Sequence, residues 1–89
     1  MVKIKMTVKG MVQGVGFRYY CYRNAVQLGI NGYAKNLHNG DVEIEAEGGV
    51  SEMNEFIKQV QIGPKFSKIN STSVVRMPFE GNYKEFSIL

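Results

Sequence analysis

The chain has 89 residues, enough for one domain with a modest core, and its 44% hydrophobic content with mixed charge is typical of a globular protein. Its single cysteine, Cys21, excludes an intrachain disulfide, and no apolar run is long enough for a signal core or a membrane span, so we expect a cytoplasmic protein. The net charge of +3 is unevenly spread, because the first forty residues contain six basic side chains and no acid, whereas all eight acids lie from Asp41 onward. This asymmetry favours an anionic ligand for the N-terminal half, although a solvated basic face explains the charge pattern equally well.

The first predicted elements are a strand, a glycine-spaced loop and a helix. Residues 2–9 alternate between apolar and polar side chains, as in a half-buried strand, and residues 10–16 form the loop. From Phe17 the apolar side chains recur at helical spacing as far as Leu28, and Gly29 is typical of a helix end.

A hairpin is predicted next. Residues 30–37 read as a second strand, and Asn39-Gly40 is the strongest short signal for a tight turn between strands. Residues 42–47 alternate cleanly, which predicts a third strand with three glutamates along a solvent-facing edge: Glu43, Glu45 and Glu47.

The C-terminal half adds a helix and two strands. Ser51 is a good N-cap for the helix, which ends at Gly63-Pro64. Strands follow at residues 68–77 and 83–88. The order β-α-β-β-α-β plus a short C-terminal strand predicts one α/β (α+β) domain over residues 1–89, a ferredoxin-like sandwich with two helices on one face of an antiparallel sheet.

The strongest signal for function is the loop between the first strand and the first helix, Gln13-Gly14-Val15-Gly16-Phe17-Arg18. Glycines let the backbone adopt positive φ and approach a ligand, and the free amides of a helix N-terminus bind anions. Arg18 stands in the first turn, where its guanidinium can donate to two phosphoryl oxygens. The dinucleotide fingerprint fails because Tyr19 stands where its third glycine would be, and no Walker motif is present. A structural turn beside an exposed arginine explains this pattern equally well.

Two separated motifs resemble the acylphosphatase family. The first is the run from Val12 to Arg18, and the second is Gly32-Tyr33-Ala34-Lys35-Asn36 with the following Asn39-Gly40 and Val42-Glu43. The resemblance extends over essentially the whole chain, including its length and the order of its elements. It implies an enzyme that hydrolyses the carboxyl-phosphate bond of acyl phosphates. It further implies that Arg18 binds the phosphoryl group, that residues 13–18 supply amides to it, and that Asn36 orients the attacking water.

The composition is compatible with this chemistry. The chain has one histidine and no Ser-His-Asp or metal-ligand set, so we expect no metal and no cofactor. Neither predicted site element carries an acid that could protonate a leaving group. A carboxylate, whose conjugate acid has a pKa of about 4, leaves without a proton, whereas an alkoxide does not. Acyl phosphates are therefore favoured over ordinary phosphate esters.

Two other functions remain open. The ferredoxin-like fold also binds RNA on its open sheet face, so a non-catalytic phosphate- or RNA-binding module is the main alternative. The glutamates of the third strand oppose RNA, and the tyrosines of the first helix are expected to point in three directions rather than form a stacking surface. The chain could also resemble the acylphosphatase-like domain of hydrogenase-maturation carbamoyltransferases, but we expect a free-standing monomer that acts on a small acyl phosphate and binds no nucleic acid or membrane.

Overall fold

The computed structural model describes residues 1–89 as a five-stranded sheet with two helices packed on it. The strands lie in the order β4-β1-β3-β2-β5. The elements in chain order are β1 (Val2–Met11), α1 (Phe17–Leu28), β2 (Asn31–Asn36), β3 (Val42–Gly48), α2 (Val50–Ile62), β4 (Lys68–Met77) and β5 (Phe86–Ile88). The predicted fold class and element order are confirmed.

The core lies between the helices and one face of the sheet. Alternation in β1 turns Ile4, Met6 and Val8 inward, and each pairs across the antiparallel ladder with a buried residue of β3. Helical spacing buries one face of each helix against them, so that sixteen apolar residues form one cluster. The helices contribute Phe17, Cys21, Ala25, Met53, Phe56 and Val60.

The last strand joins the sheet differently from the others. Strands β1 to β4 pair in the predicted antiparallel manner, but β5 lies parallel to β2, with Gly32 opposite Phe86 and Ala34 opposite Ile88. The sheet is therefore mixed, because the chain leaves β4 at one edge, crosses the sheet and enters the other edge in the direction of β2. The Leu89 amide then donates to the carbonyl oxygen of Ala34 at 2.9 Å, which places the end of the chain beside β2.

The three glutamates of β3 do not lie along a solvent-facing strand edge, so that prediction was wrong. Strand β3 is central, between β1 and β2, and the side chain of Glu47 is almost fully buried. Its carboxylate accepts backbone N–H groups of Glu80, Gly81 and Tyr83 at 3.4, 3.0 and 3.3 Å. The segment between β4 and β5 is thus held across the face of the sheet opposite the helices, and it covers the glutamates that the alternation had assigned to solvent.

The N-terminus of α2 also differs from the expectation. Gly49 is the N-cap, in an extended conformation and without a side-chain cap, and Ser51 lies inside the first turn. The carboxylate of Glu52 folds back against Gly49 and occupies the space that a β-carbon there would need. An acid in the first turn interacts favourably with the positive end of the helix, which compensates for the missing cap.

Candidate active site

A recess of about 160 Å³ opens where the loop after β1, the start of α1, the end of β2 and the end of β5 meet. Loop and helix residues supply one wall, and the last residues of the two parallel strands supply the other. The recess is lined by Val12, Gly14, Gly16, Phe17, Arg18, Tyr19, Asn36 and Ile88.

Two left-handed glycines shape the loop. Gly14 and Gly16 have φ of 74° and 77°, a region that side chains rarely adopt. A β-carbon at either position would meet no atom within 4 Å, so the need for glycine is conformational and not steric. Gly16 is also the N-cap of α1, where no side chain caps the helix and the first turn contains no acid. The positive end of α1 therefore faces the recess without a competing anionic group.

Arg18 is the only cationic side chain in the lining. It is half-buried, forms no ion pair with a carboxylate side chain, and donates from one terminal nitrogen to the main-chain oxygen of Leu89 at 2.6 Å. A guanidinium has five N–H donors, so this single hydrogen bond orients the group and leaves donors for an anion.

Asn36 lies at the end of β2, opposite Val42 of β3. Its Oδ1 atom is buried and has no hydrogen-bond partner, and no other buried side-chain nitrogen or oxygen of the protein is in this state. Most buried polar atoms are paired, so this unpaired oxygen is exceptional in the protein. Arg18 and Asn36, which are far apart in the sequence, thus line the same small recess.

The remaining residues of the predicted loop are placed in different ways. Gly14, Gly16 and Phe17 line the recess, but the Phe17 ring is buried in the core, 6.2 Å from the ring of Tyr20. Val15 packs against the core, and the side chain of Gln13 points to the turn between β2 and β3. Any contribution of these two residues to anion binding would come from their backbone.

Three lining residues were missed by the sequence analysis: Val12, Tyr19 and Ile88. Tyr19 is adjacent to Arg18 and could have been found by its position. Ile88 has no local signal, because only the parallel pairing of β5 brings it to the recess. The expectation that the helix tyrosines point three ways was also wrong, since Tyr19 and Tyr22 stack with ring centroids 6.1 Å apart.

The groups with the most strongly shifted pKa values lie outside the recess. On the opposite face of the sheet, burial raises the pKa of Tyr33 and of Tyr83, and their hydrogen bonds to glutamates of β3 raise it further. The hydrogen bond from Tyr33 lowers the pKa of Glu43. In the core, burial raises the pKa of the Cys21 thiol to about 12. None of these groups lines the recess, so none of the shifts tunes a side chain there for proton transfer.

The fold and the recess define a small ferredoxin-like α/β protein with an anion-receptive cleft at a helix N-terminus. The sequence model of the acylphosphatase family matches residues 4–88. The acylphosphatase of Vibrio cholerae serotype O1 is 42% identical over 85 residues, which cover 96% of this chain and 93% of that protein. The chain belongs to the acylphosphatase family.

Solved structures agree with this assignment. The crystal structure of acylphosphatase from Bacillus subtilis has a TM-score of 0.96 and 37% identity, covering 100% of this chain and 99% of that one. Full-length HypF, in a phosphate- and nucleotide-bound form, has a TM-score of 0.91 and 29% identity, covering 99% of this chain but 12% of HypF. The same fold therefore also occurs as a small part of a much longer protein.

Proposed function

We propose that the chain hydrolyses acyl phosphates to a carboxylate and inorganic phosphate, with Arg18 and the loop amides binding the phosphoryl group and Asn36 orienting the attacking water. The observation that carries this proposal is that Arg18 and Asn36, from two separate motifs, line one recess at the uncapped start of α1. One wall offers donors for an anion, and the other carries the Asn36 carboxamide, which accepts a hydrogen bond from water when its oxygen is turned to the recess.

The phosphoryl group is bound by one cation and by backbone dipoles. The guanidinium of Arg18 donates to two phosphoryl oxygens, and the uncapped amides at the start of α1 donate to the others. The left-handed glycines keep the loop backbone in a shape that turns its amides to the ligand. Because the helix and the left-handed glycines fix the direction of these donors, this stabilisation needs little reorganisation in the transition state.

Asn36 acts by position. A carboxamide is not basic, so its Oδ1 accepts a hydrogen bond from water and directs the water oxygen at phosphorus, in line with the leaving carboxylate. A bond forms between the water oxygen and phosphorus, and the bond between phosphorus and the acyl oxygen breaks with its electron pair. No carboxylate or imidazole lines the recess, so in this proposal a phosphoryl oxygen of the substrate takes the proton of the water.

The leaving group restricts the substrate. A carboxylate, with a conjugate-acid pKa of about 4, departs without protonation, whereas an alkoxide needs a general acid. The lining residues include no carboxyl or imidazole group to serve as that acid. Hydrolysis should therefore be efficient for acyl phosphates and poor for phosphate esters.

The test is turnover of benzoyl phosphate beside p-nitrophenyl phosphate, with EDTA present, by the wild type, Arg18→Gln and the control Arg23→Gln. Arg23 is exposed on the same helix and does not line the recess. We expect hydrolysis of the acyl phosphate only, its loss in Arg18→Gln and its retention in Arg23→Gln. A folded wild type that binds phosphate without cleaving benzoyl phosphate would overturn the proposal in favour of a phosphate-binding module.

The sheet face opposite the helices bears on the choice between a small-molecule substrate and RNA. RNA binding would use the sheet face opposite the helices, but the segment between β4 and β5 crosses that face, and Tyr33 and Tyr83 donate there to the glutamates of β3. We therefore propose a small-molecule substrate and no nucleic acid. We also propose that the protein is a monomer in the cytoplasm. No helix is both long and apolar enough to cross a membrane.

A further inference from the structure

The side chain of Gln13 connects the glycine loop to the turn between β2 and β3. Its Nε2 atom donates to the carbonyl oxygen of Leu37 at 2.8 Å and to that of Asp41 at 2.9 Å. A primary amide has two N–H groups, so both donors of Gln13 are used on this turn. Gln13 is half-buried and does not line the recess.

The two accepting carbonyls are those that close the turn. The Leu37 amide donates to the Asp41 oxygen at 2.8 Å, and the Gly40 amide donates to the Leu37 oxygen at 3.2 Å. Each carbonyl thus has one partner within the turn and one on Gln13. Leu37 follows Asn36 directly, so the side-chain amide of Gln13 ties the residue next to Asn36 to the glycine loop.

The other hydrogen bonds of the turn serve a different purpose. Lys9 of β1 donates to the Asp41 carboxylate at 2.7 Å, and Asn39 donates to the same carboxylate at 3.2 Å. These contacts hold the turn to β1 and to itself, and none of them involves Gln13. Among the side-chain hydrogen bonds of residues 12–16, only those of Gln13 reach the turn.

We propose that Gln13 is a positioning residue, whose side chain fixes the distance between the phosphoryl-binding loop and Asn36 without itself contacting the substrate. This inference rests on the proposed acyl phosphate hydrolysis, because that proposal places Arg18 and Asn36 on opposite sides of the reacting phosphorus. A displacement of about 1 Å between groups that act on one atom can lower a rate as much as 100-fold. Gln13 therefore affects turnover more than phosphate affinity, which depends on the loop and Arg18 alone.

Two substitutions separate positioning from plain stability. Gln13→Met keeps the length of the side chain and removes both donors, so we expect kcat to fall about 10- to 100-fold at every pH, with less than about a 3-fold change in inhibition by inorganic phosphate. Gln13→Glu places an ionised carboxylate against two carbonyl oxygens, which disfavour the charge and raise its pKa above the ordinary value of about 4.3. When protonated, this carboxyl has one O–H donor, so its kcat should recover toward the wild-type value as the pH falls, unlike that of Gln13→Met.

The matched control is Gln27→Glu, which adds the same charge at an exposed position of α1 and should behave as the wild type. The side-chain amide signals of Asn36 in a 15N NMR spectrum should shift in Gln13→Met and stay in place in Gln27→Glu. This spectroscopic result does not depend on turnover, and it remains informative if the wild type proves inactive, which would overturn the proposed function and not the contact.

Three results would overturn the inference. Wild-type kcat in Gln13→Met would show that the contact has no effect on the reaction. Parallel weakening of kcat and of phosphate inhibition would make Gln13 a binding residue. A loss of kcat with unchanged Asn36 signals and no recovery of Gln13→Glu at low pH would assign the loss to something other than the position of Asn36. If Gln13→Met fails to fold, the pH profile of Gln13→Glu against Gln27→Glu decides the question.

Discussion

Replacing Asn36 by leucine should make the protein more stable and inactive at the same time. Both side chains branch at the same carbon, and the recess of about 160 Å³ that residue 36 lines gives room for the larger leucine. Leucine removes the buried oxygen that has no hydrogen-bond partner, and it suits a strand better than asparagine does. The substitution therefore separates the contribution of this carboxamide to stability from its contribution to catalysis.

The magnitude follows from the unpaired atom. A buried polar group without a partner lowers stability by about 1–3 kcal/mol, so we expect Asn36→Leu to raise the free energy of unfolding by about 1–2 kcal/mol. In a domain of this size each kcal/mol corresponds to about 4–8 °C in Tm. Because leucine cannot accept a hydrogen bond from water, turnover should fall about 10²- to 10³-fold, as for the loss of one preorganised group in other active sites.

The assay combines urea unfolding with hydrolysis of benzoyl phosphate. Asn36→Asp is the matched variant: it retains an acceptor but places an unpaired charge in the same wall beside the incoming phosphoryl group, so both its stability and its turnover should fall. A destabilised Asn36→Leu would refute the reasoning about stability, because the carboxamide would then have a stabilising partner in solution. Wild-type turnover in Asn36→Leu would refute the role of Asn36 toward water.

Three further predictions follow from the same structure. Arg18→Lys should lower kcat/KM about 10²-fold, because an ammonium cannot donate two parallel hydrogen bonds, and should leave the urea midpoint nearly unchanged; near wild-type turnover would contradict this. Glu47→Ala should lower the free energy of unfolding by about 2–4 kcal/mol, since a buried carboxylate that accepts three backbone amides is lost; an effect as small as that of the exposed control Glu55→Ala would show that these hydrogen bonds add little. Burial raises the pKa of Cys21 from 9.0 to about 12, so the thiol contributes stability that is present below pH 9 and is lost as the pH rises toward 12, at about 1.4 kcal/mol per pH unit. In urea unfolding across this range Cys21→Ala should show a correspondingly shallower decline than the wild type, and equal slopes would contradict the burial of the thiol.

Local patterns were sufficient to predict most elements of the fold. Alternation in β1 and β3, helical spacing from Phe17 to Leu28, and glycines at the ends of elements depend on neighbours a few residues apart, and the structure confirms them. The N-terminus of α2 was predicted less well, because Ser51 looks like a cap until the folded position of Glu52 is known. The helix begins after Gly49, where the Glu52 carboxylate lies at its positive end. The identity of the residue at position 51 does not reveal this arrangement.

By itself, the sequence determined the residue types of the recess: two glycines with positive φ, one arginine in a first turn, and one asparagine at a strand end. These residue types can be read from short stretches of sequence, because the turn conformation and the two motifs each involve only neighbouring residues. Only the tertiary structure decided that Ile88 completes the recess, that Leu89 accepts a hydrogen bond from Arg18, that Glu47 is buried, and that Gln13 binds the turn beside Asn36. Each of these depends on contacts between residues that lie 24 or more positions apart, and such contacts are set by how strands pair and cross and not by the periodicity of any one segment.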